Sequence, residues 1–428
     1  MLRRISMAMA VALVAAVPAV AQIADGLRAL DYGDDAAART ALRSAEAESA
    51  VWLAVAERGD ARKAAAERAA ALVGDDPGWV RSAARGLAAE AAGQGEVAVA
   101  ALREATALAP REPRLWKVLG DLLAAAKNRS GALEAYGRAI ALSPSHPAAN
   151  EALGDLAREA GDFGGAFNAY NHAVDDQNRP VSALIGRAAA RLYLGDTQGA
   201  DGDLDLAIAG ARPGFERYQA LMAKLFVRTY LRQLPQGLER AEQAARMWQE
   251  LSRPDMVAAT CNAAGRVLLE TGNTADAVTW YERGWQAVQG SSLAADKKVI
   301  WQVRELHGLS RAAAQNRELE RARQLYDQAT ALMATDPANQ EHYAWIGPYL
   351  NGYLLLAERK NDEAVAELRK SDLERPYLRY LLGEAYARAR NRASAREWYQ
   401  KALDASTGLD SESVLVRPLA AAWLAKNR

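Results

Sequence analysis

Nine side chains in the second half of the sequence are the strongest candidates for binding a ligand. Four of them are tyrosines in two closely spaced pairs, Tyr349 with Tyr353 and Tyr377 with Tyr380. A tyrosine offers an apolar ring face and a polar tip. Four tyrosines on neighbouring helices would therefore form a platform for a peptide or a sugar. The alternative is that these rings pack against inserted helices or a terminal cap.

The other five candidates precede the tyrosines and are mainly basic. They are Asn262, Arg266, Arg304, His307 and Arg311. Arginine binds carboxylates and other oxyanions through two parallel hydrogen bonds. This basic track could therefore receive a carboxylate-bearing segment or another anion. The alternative is a solvated surface, because arginine supplies 43 of the 53 basic residues in the chain.

Two stretches imitate cofactor or metal motifs by their letters alone. Residues 93–98 fit a dinucleotide fingerprint, but the residues before them have the pattern of a helix, where that motif requires a strand. Residues 201–205 begin like a calcium loop, but Leu206 and Arg212 stand where glycine and glutamate are required. The sequence therefore predicts no cofactor, and a solvated helix face at residues 201–205.

The histidines and the single cysteine also predict neither a metal site nor catalysis. The four histidines are not spaced as metal ligands, and Cys261 lies in an apolar helical stretch. No nucleophile motif occurs, and no segment of about 100 residues is left for a catalytic domain. The sequence therefore predicts a protein without catalytic activity. A hydrolase with carboxylates brought together among the helices is a less favoured alternative.

Composition limits the possible classes further. The chain has 428 residues, 53 basic and 53 acidic, and therefore no net charge. Such a balance gives no electrostatic footprint for nucleic acid. Half of the residues are apolar, which excludes global disorder, and 97 are alanine, the best helix former. An all-α protein is predicted.

The first residues have the pattern of a secretory signal peptide. Arg3 and Arg4 precede a short apolar stretch, and small residues lead up to Ala21. Cleavage after Ala21 is expected, which predicts a periplasmic or secreted protein. The apolar stretch is shorter than the roughly 18 residues needed to span a membrane, and no later segment is long and apolar enough.

Internal repeats with a period of 34 residues organise the rest of the chain. Alanines recur at this spacing at positions 64, 98, 132, 166 and 200, and a second series runs from Ala71 to Ala207. In the clearest unit, residues 113–146, two apolar helix faces flank a polar turn. Neither helix can bury its face alone, so each pair is expected to stack on the next.

This unit resembles the tetratricopeptide repeat family. It has the family's residue types at the family's positions: Trp116, Leu119, Gly120, Ala132, Tyr136, Ala139 and Pro144. The resemblance implies a right-handed α-solenoid of helix-turn-helix repeats. It also implies that one stripe on the first helix of each unit lines a concave groove, and the nine candidate residues fall on that stripe.

The expected organisation has four parts. Residues 1–21 are the signal peptide, and 22–214 form an array in strict register. Residues 215–410 form an irregular array with insertions around 292–302 and 336–344, and 411–428 form a capping helix. An open solenoid needs such a cap over its last apolar face. The residues suited to it are Val414, Leu415, Leu419 and Trp423.

The predicted function is a non-catalytic scaffold for protein–protein interaction in the bacterial cell envelope. Stacked helices give a long surface that binds extended segments of a protein or peptide partner. The alternative is a glycan-handling periplasmic component of an exopolysaccharide export or assembly system. Nucleic acid is not an expected partner.

Overall fold

The computed structural model describes residues 22–32, 34–43, 47–74, 78–174 and 179–427. The predicted signal peptide lies outside these ranges. The described residues form helices and turns without a β-strand, which confirms the predicted all-α class. Within these same ranges, no helix has the length and apolar character needed to cross a bilayer.

The helices of the first part of the chain are joined by short connections. They are α1 (22–31), α2 (Asp35–Ala41), α3 (Ala47–Ala56), α4 (Gly59–Val73), α5 (Trp79–Ala91), α6 (Gly95–Leu108), α7 (Pro113–Ala125), α8 (Arg129–Leu142), α9 (Pro147–Glu159), α10 (Phe163–Ala173) and α11 (Val181–Leu194).

The helices of the second part are longer on average. They are α12 (Thr197–Gly210), α13 (Phe215–Tyr230), α14 (Leu234–Glu250), α15 (Pro254–Glu270), α16 (Thr274–Gln289), α17 (Ala295–Gln315), α18 (Leu319–Ala334), α19 (Gln340–Tyr343), α20 (Ile346–Ala357), α21 (Asn361–Leu368), α22 (Pro376–Arg388), α23 (Arg392–Ala405) and α24 (Ser413–Lys426), with a 3-10 turn at Pro337–Asn339.

These helices belong to two compact units. The first holds the described residues up to 157 together with 163–186, and the second holds 158–162 and the residues from 187 onward. Consecutive helices pack against each other in both units, for example α7 with α8 in the first and α17 with α18 in the second. The predicted α-solenoid of stacked helix pairs is thereby confirmed, whereas its right-handed twist stays a prediction.

The unit 113–146 shows how the sequence forms one pair. Pro113 starts α7, where its missing N–H costs nothing, and the Glu112 carboxylate accepts a hydrogen bond from the Arg114 N–H. Asn128 caps α8 by accepting from the Gly131 N–H at 3.0 Å. Between the two helices, Lys127 has a φ of 59°. Glycines occupy the equivalent place in other units, where φ is also positive.

Gly120 is a point of very close approach between α7 and α8. A Cβ atom at this position would lie 2.4 Å from Cε1 of Tyr136, whose side chain is only 3% exposed. We expect Gly120→Ala to lower the free energy of unfolding by about 2 kcal/mol, since the buried ring must move. Gly137 in α8 is the matched control, because a Cβ atom there meets nothing within 4 Å.

Gly137→Ala should stabilise the protein by about 0.5–1 kcal/mol through helix propensity alone. Thermal unfolding followed by circular dichroism measures both variants. If the two changes shift the transition in the same direction by the same amount, the close packing of Gly120 against Tyr136 is not what stabilises this unit.

The final helix, α24, packs against α13, α22 and α23. Val414 and Leu415 are buried, and the Trp423 ring stacks on Tyr399 with centroids 4.4 Å apart. The expectation for Leu419 was wrong, because this side chain is 46% exposed. Leu419 lies one helical turn after the buried Leu415, so helix periodicity alone does not reveal this exposure. The start of α24 is also important, since it places Glu412 next to the candidate residues described below.

Candidate functional site

The candidate residues lie on four helices of the second unit. The set comprises Asn262 and Arg266 on α15, Arg304, His307 and Arg311 on α17, Tyr349 and Tyr353 on α20, and Tyr377 and Tyr380 on α22. The 21-residue helix α17 begins inside the first predicted insertion. The structure distributes the candidates between two neighbouring pockets with a buried cluster between them.

The first pocket has a volume of about 380 Å³, and we call it the basic pocket. It brings together six of the nine predicted residues: Asn262, Arg266, Arg304, His307, Arg311 and Tyr349. The further lining residues that sequence reasoning missed include His342, Trp345, Arg375 and Glu412. Arg375 directly precedes α22, and Glu412 directly precedes α24, so neither lies on a periodic helix face that the sequence would reveal.

Glu412 is the carboxylate that lines this pocket, and it is already engaged. It accepts hydrogen bonds from Arg266 at 3.0 Å, from Arg375, and from the Tyr377 N–H at 3.2 Å. Burial tends to raise the pKa of Glu412, but the two guanidinium groups outweigh that effect and hold it below its usual value. These contacts show that two guanidinium groups and a backbone N–H of this pocket bind a carboxylate.

Arg311 is the centre of the cluster between the pockets. Its side chain is 1% exposed, and its guanidinium donates to Glu270 and, at 3.2 Å, to the Tyr377 hydroxyl. That hydroxyl donates in turn to Glu270 at 2.7 Å. The guanidinium carbon also lies within 6 Å of the ring centres of Tyr349, Tyr353 and Tyr377. Arg311 is thus a structural residue and not part of an exposed basic track.

Burial also changes the interpretation of the tyrosines. Tyr349 and Tyr377 are each only 2% exposed, so they do not form an exposed platform. The His307 ring lies 4.8 Å from the Tyr349 ring, which shows that the long helix α17 covers this tyrosine. Tyr353 and Tyr380 are half-buried and remain at the surface. Two of the four predicted rings are therefore accessible to a partner.

The second pocket has a volume of about 790 Å³, and we call it the tyrosine pocket. Tyr353, Tyr377 and Tyr380 line it together with charged side chains of both signs. The Tyr353 hydroxyl accepts a hydrogen bond from Gln315 at 3.1 Å, and the Tyr380 ring meets Tyr399 edge to face at 5.6 Å. These contacts fix both rings at the rim, where an amphipathic ligand can pack against them.

A pocket of about 480 Å³ in the first unit offers a useful contrast. Its charged side chains are mostly paired. Arg114 binds Asp31 at 2.7 Å, Lys117 binds Asp121 at 2.8 Å, and Arg62 binds Glu90. Cations and carboxylates therefore compensate one another in the first unit, whereas arginines outnumber carboxylates in the basic pocket.

The remaining sequence motifs have structural roles. Gly93 lies in the turn between α5 and α6, with a φ of 74°. Residues 201–205 lie on α12, where Asp201 and Asp205 bind the buried Lys224 at 3.0 and 2.6 Å. That face is consequently engaged in ion pairs and is not simply solvated. Burial raises the pKa of the Cys261 thiol to about 12, which keeps it protonated and unreactive.

The arrangement does not present a metal centre within the described residues, since no group of three or more His, Cys, Asp or Glu side chains is placed to hold an ion. Two of the four histidines, His307 and His342, line the basic pocket together with arginines. Noncovalent binding of an anion is the chemistry that these side chains support best.

The sequence pattern of the tetratricopeptide repeat family matches residues 83–129, 128–183 and 349–410. The chain therefore contains tetratricopeptide repeats in these segments. The first two matches cover part of the array in strict 34-residue register, and the third runs from Tyr349 on α20 to beyond α23 and includes all four candidate tyrosines. Proteins with curated functions include no significant match to this sequence.

Several solved structures are similar to this chain. Similarity to pilF of Pseudomonas aeruginosa covers 54% of this chain and 96% of pilF, at 17% identity and a TM-score of 0.36. Similarity to a tetratricopeptide repeat protein of Parabacteroides merdae covers 72% of this chain and 98% of that protein, at 15% identity and a TM-score of 0.36. Similarity to PilW, which is described as a type IV pilus biogenesis factor, covers 57% of this chain and 89% of PilW, at 14% identity and a TM-score of 0.33. These similarities are too weak to indicate a shared function.

Proposed function

We propose that this tetratricopeptide repeat protein is a non-catalytic scaffold that binds an extended segment of a protein partner on its second unit. The observation that supports this most is the pair of neighbouring pockets, which together contain all nine residues of the predicted ligand surface. Stacked helix pairs commonly bind extended segments in this way, with side-chain pockets that give specificity.

The two pockets suit different parts of one segment. The tyrosine pocket offers half-buried rings that can pack against apolar side chains, and the basic pocket offers guanidinium groups for an acidic one. The Arg311 cluster between them is rigidly held by Glu270 and Tyr377, so it would keep the spacing of the pockets fixed. The leader-like pattern of residues 1–21 supports placing this scaffold in the bacterial cell envelope.

Site-specific photocrosslinking in the native cell tests this function. A photoreactive phenylalanine analogue replaces Tyr353 or Tyr380 at the rim of the tyrosine pocket. The control carries the same group at Phe215, an aromatic side chain that is 60% exposed and lies outside both pockets. We expect a discrete protein adduct from the two rim positions and none from Phe215.

The proposal is wrong if neither rim position yields a discrete adduct, or if Phe215 yields the same adducts. Mass spectrometry of the adduct identifies the partner and the segment that was captured. Fractionation of the same cells tests the proposed envelope location, which would be contradicted by recovery of the protein in the cytoplasm alone.

A further inference from the structure

The basic pocket contains more positive charge than its surroundings neutralise. Four arginines line it: Arg266, Arg304, Arg311 and Arg375. Glu412 binds two of them, Arg266 and Arg375, and Glu270 binds Arg311. Two carboxylates therefore pair with three of the four guanidinium groups, and the fourth, Arg304, has none among the described residues. Buried charges without partners are costly, so such a surplus is typical of a site that receives an anion.

Arg304 is the guanidinium that lacks a carboxylate. Among the described residues none forms an ion pair with it, and it stacks instead on Trp301 at 4.8 Å. Burial and the positive charge of Arg375 lower the pKa of Arg304. The side chain thus lies in a partly desolvated position beside a like charge, where an added anion would be strongly favoured.

Three uncharged polar atoms around Arg304 also have no hydrogen-bond partner within the described chain. They are the Tyr349 hydroxyl and the Nε2 atoms of His307 and His342. The side chain of Tyr349 is only 2% exposed, and it lines the same pocket. Buried polar atoms are rarely left unpaired in folded proteins. Their convergence with Arg304 on one cavity indicates the place where ligand oxygens would lie.

We propose that the basic pocket binds a carboxylate of an acidic segment in the partner, with Arg304 as its principal cation and Tyr349 and His307 as hydrogen-bonding neighbours. The resident Glu412 shows that this pocket holds one carboxylate with two arginines and a backbone N–H. Glu412 also favours a singly charged group over a phosphate, because a dianion would be repelled more strongly by it. This inference names the chemistry of the proposed scaffold's partner and therefore rests on that function.

Titration calorimetry with short synthetic peptides tests the proposal. The probe is an eight-residue peptide of alternating Glu and Ala, acetylated and amidated, and the comparison peptide has Gln in place of Glu. A third peptide keeps the Gln residues but has a free terminal carboxylate, which separates side-chain carboxylates from a chain end as the source of the ligand. We expect the Glu peptide to bind with an affinity that falls as salt is added, and the amidated Gln peptide not to bind.

Arg304→Gln should weaken binding of the Glu peptide roughly tenfold, which corresponds to about 1.4 kcal/mol. Arg246→Gln is the matched control, because Arg246 is exposed on α14 and does not line the pocket. Because Arg304→Gln also removes the stacking contact with Trp301, its thermal transition is measured first, and binding is compared at a temperature where both proteins are folded. A loss of binding in that variant would then not reflect misfolding.

The inference is overturned if the Glu and Gln peptides bind equally, or if Arg304→Gln binds the Glu peptide as well as the unaltered protein does. The crosslinking experiment at Tyr353 and Tyr380 separates this outcome from failure of the scaffold. A partner adduct without acidic-peptide binding would remove only the carboxylate site, whereas the absence of both would remove the scaffold function as well.

Discussion

Replacing Arg311 by methionine is expected to destabilise the second unit by about 3–5 kcal/mol. The change removes the guanidinium that binds Glu270 and the Tyr377 hydroxyl, and it leaves the Glu270 carboxylate in a side chain that is only 13% exposed. It also removes the cation that lies against three tyrosine rings. Most of the cost should come from the Glu270 carboxylate, which keeps its hydrogen bond from the Tyr377 hydroxyl but loses its cationic partner.

A second substitution separates this cause from simple loss of packing. Arg311→Met combined with Glu270→Gln removes both charges, so the double variant should recover at least half of the stability lost in the single variant. Arg246→Met, at an exposed position on α14, should change stability by less than about 0.5 kcal/mol.

Hydrogen exchange of amides in α17 and α22 is the appropriate measurement, because it reports on the helices around Arg311 rather than on the whole chain. Exchange in α5 to α8 of the first unit serves as an internal reference. If the double variant is as unstable as the single one, the unpaired Glu270 charge is not the cause, and the stacking on the tyrosine rings accounts for the effect.

The comparison of sequence with structure shows which features local spacing can reveal. The spacing of Arg304, His307 and Arg311 along one helix predicts that they share a face, and all three line the basic pocket. The positive φ of Gly93 in the turn between α5 and α6 is equally local, because it is a property of one residue. Both features follow from positions a few residues apart.

The parts that could not be predicted depend on contacts between distant segments. Glu412 lies 146 residues from Arg266, yet the two side chains form an ion pair. Nothing in the spacing of either segment specifies that contact. The burial of Tyr349 likewise depends on α17 packing over it, with His307 against its ring. Helix periodicity identifies a face but not which distant segment covers it.

The pH dependence of stability is expected to contain a large contribution from His307. Burial first, and then the positive charges of Arg266, Arg304 and Arg375, lower its pKa to about 3. Glu412 is the carboxylate that lines the same pocket, and its charge is already shared by two of these arginines. An unfolded histidine titrates near pH 6.5, so the unfolded chain takes up this proton first. The stability contributed by neutral His307 is therefore present above pH 6.5 and is lost as pH falls towards 3.

Between pH 7 and pH 5 the loss from His307 should amount to about 2 kcal/mol. We expect His307→Gln to remove it, so that the variant gains stability relative to the unaltered protein as the solution is acidified. Urea unfolding of both proteins at a series of pH values measures the difference. A constant difference across that range would show that His307 is not buried in its neutral form.

Glu305, two residues earlier on α17, provides a control with the opposite sign. Burial, reinforced by the charge of Glu282, raises its pKa to about 7. Its contribution to stability is therefore complete below about pH 4.5 and is lost as pH rises through 7. Glu305→Gln should stabilise the protein at pH 8 and leave it unchanged at pH 4. Because the two residues act in opposite directions between pH 5 and 7, their contributions to the stability of the unaltered protein nearly cancel there. Without this cancellation, the stability of His307→Gln should fall between pH 5 and 7 relative to the unaltered protein, and that of Glu305→Gln should rise. The double variant should again follow the unaltered protein.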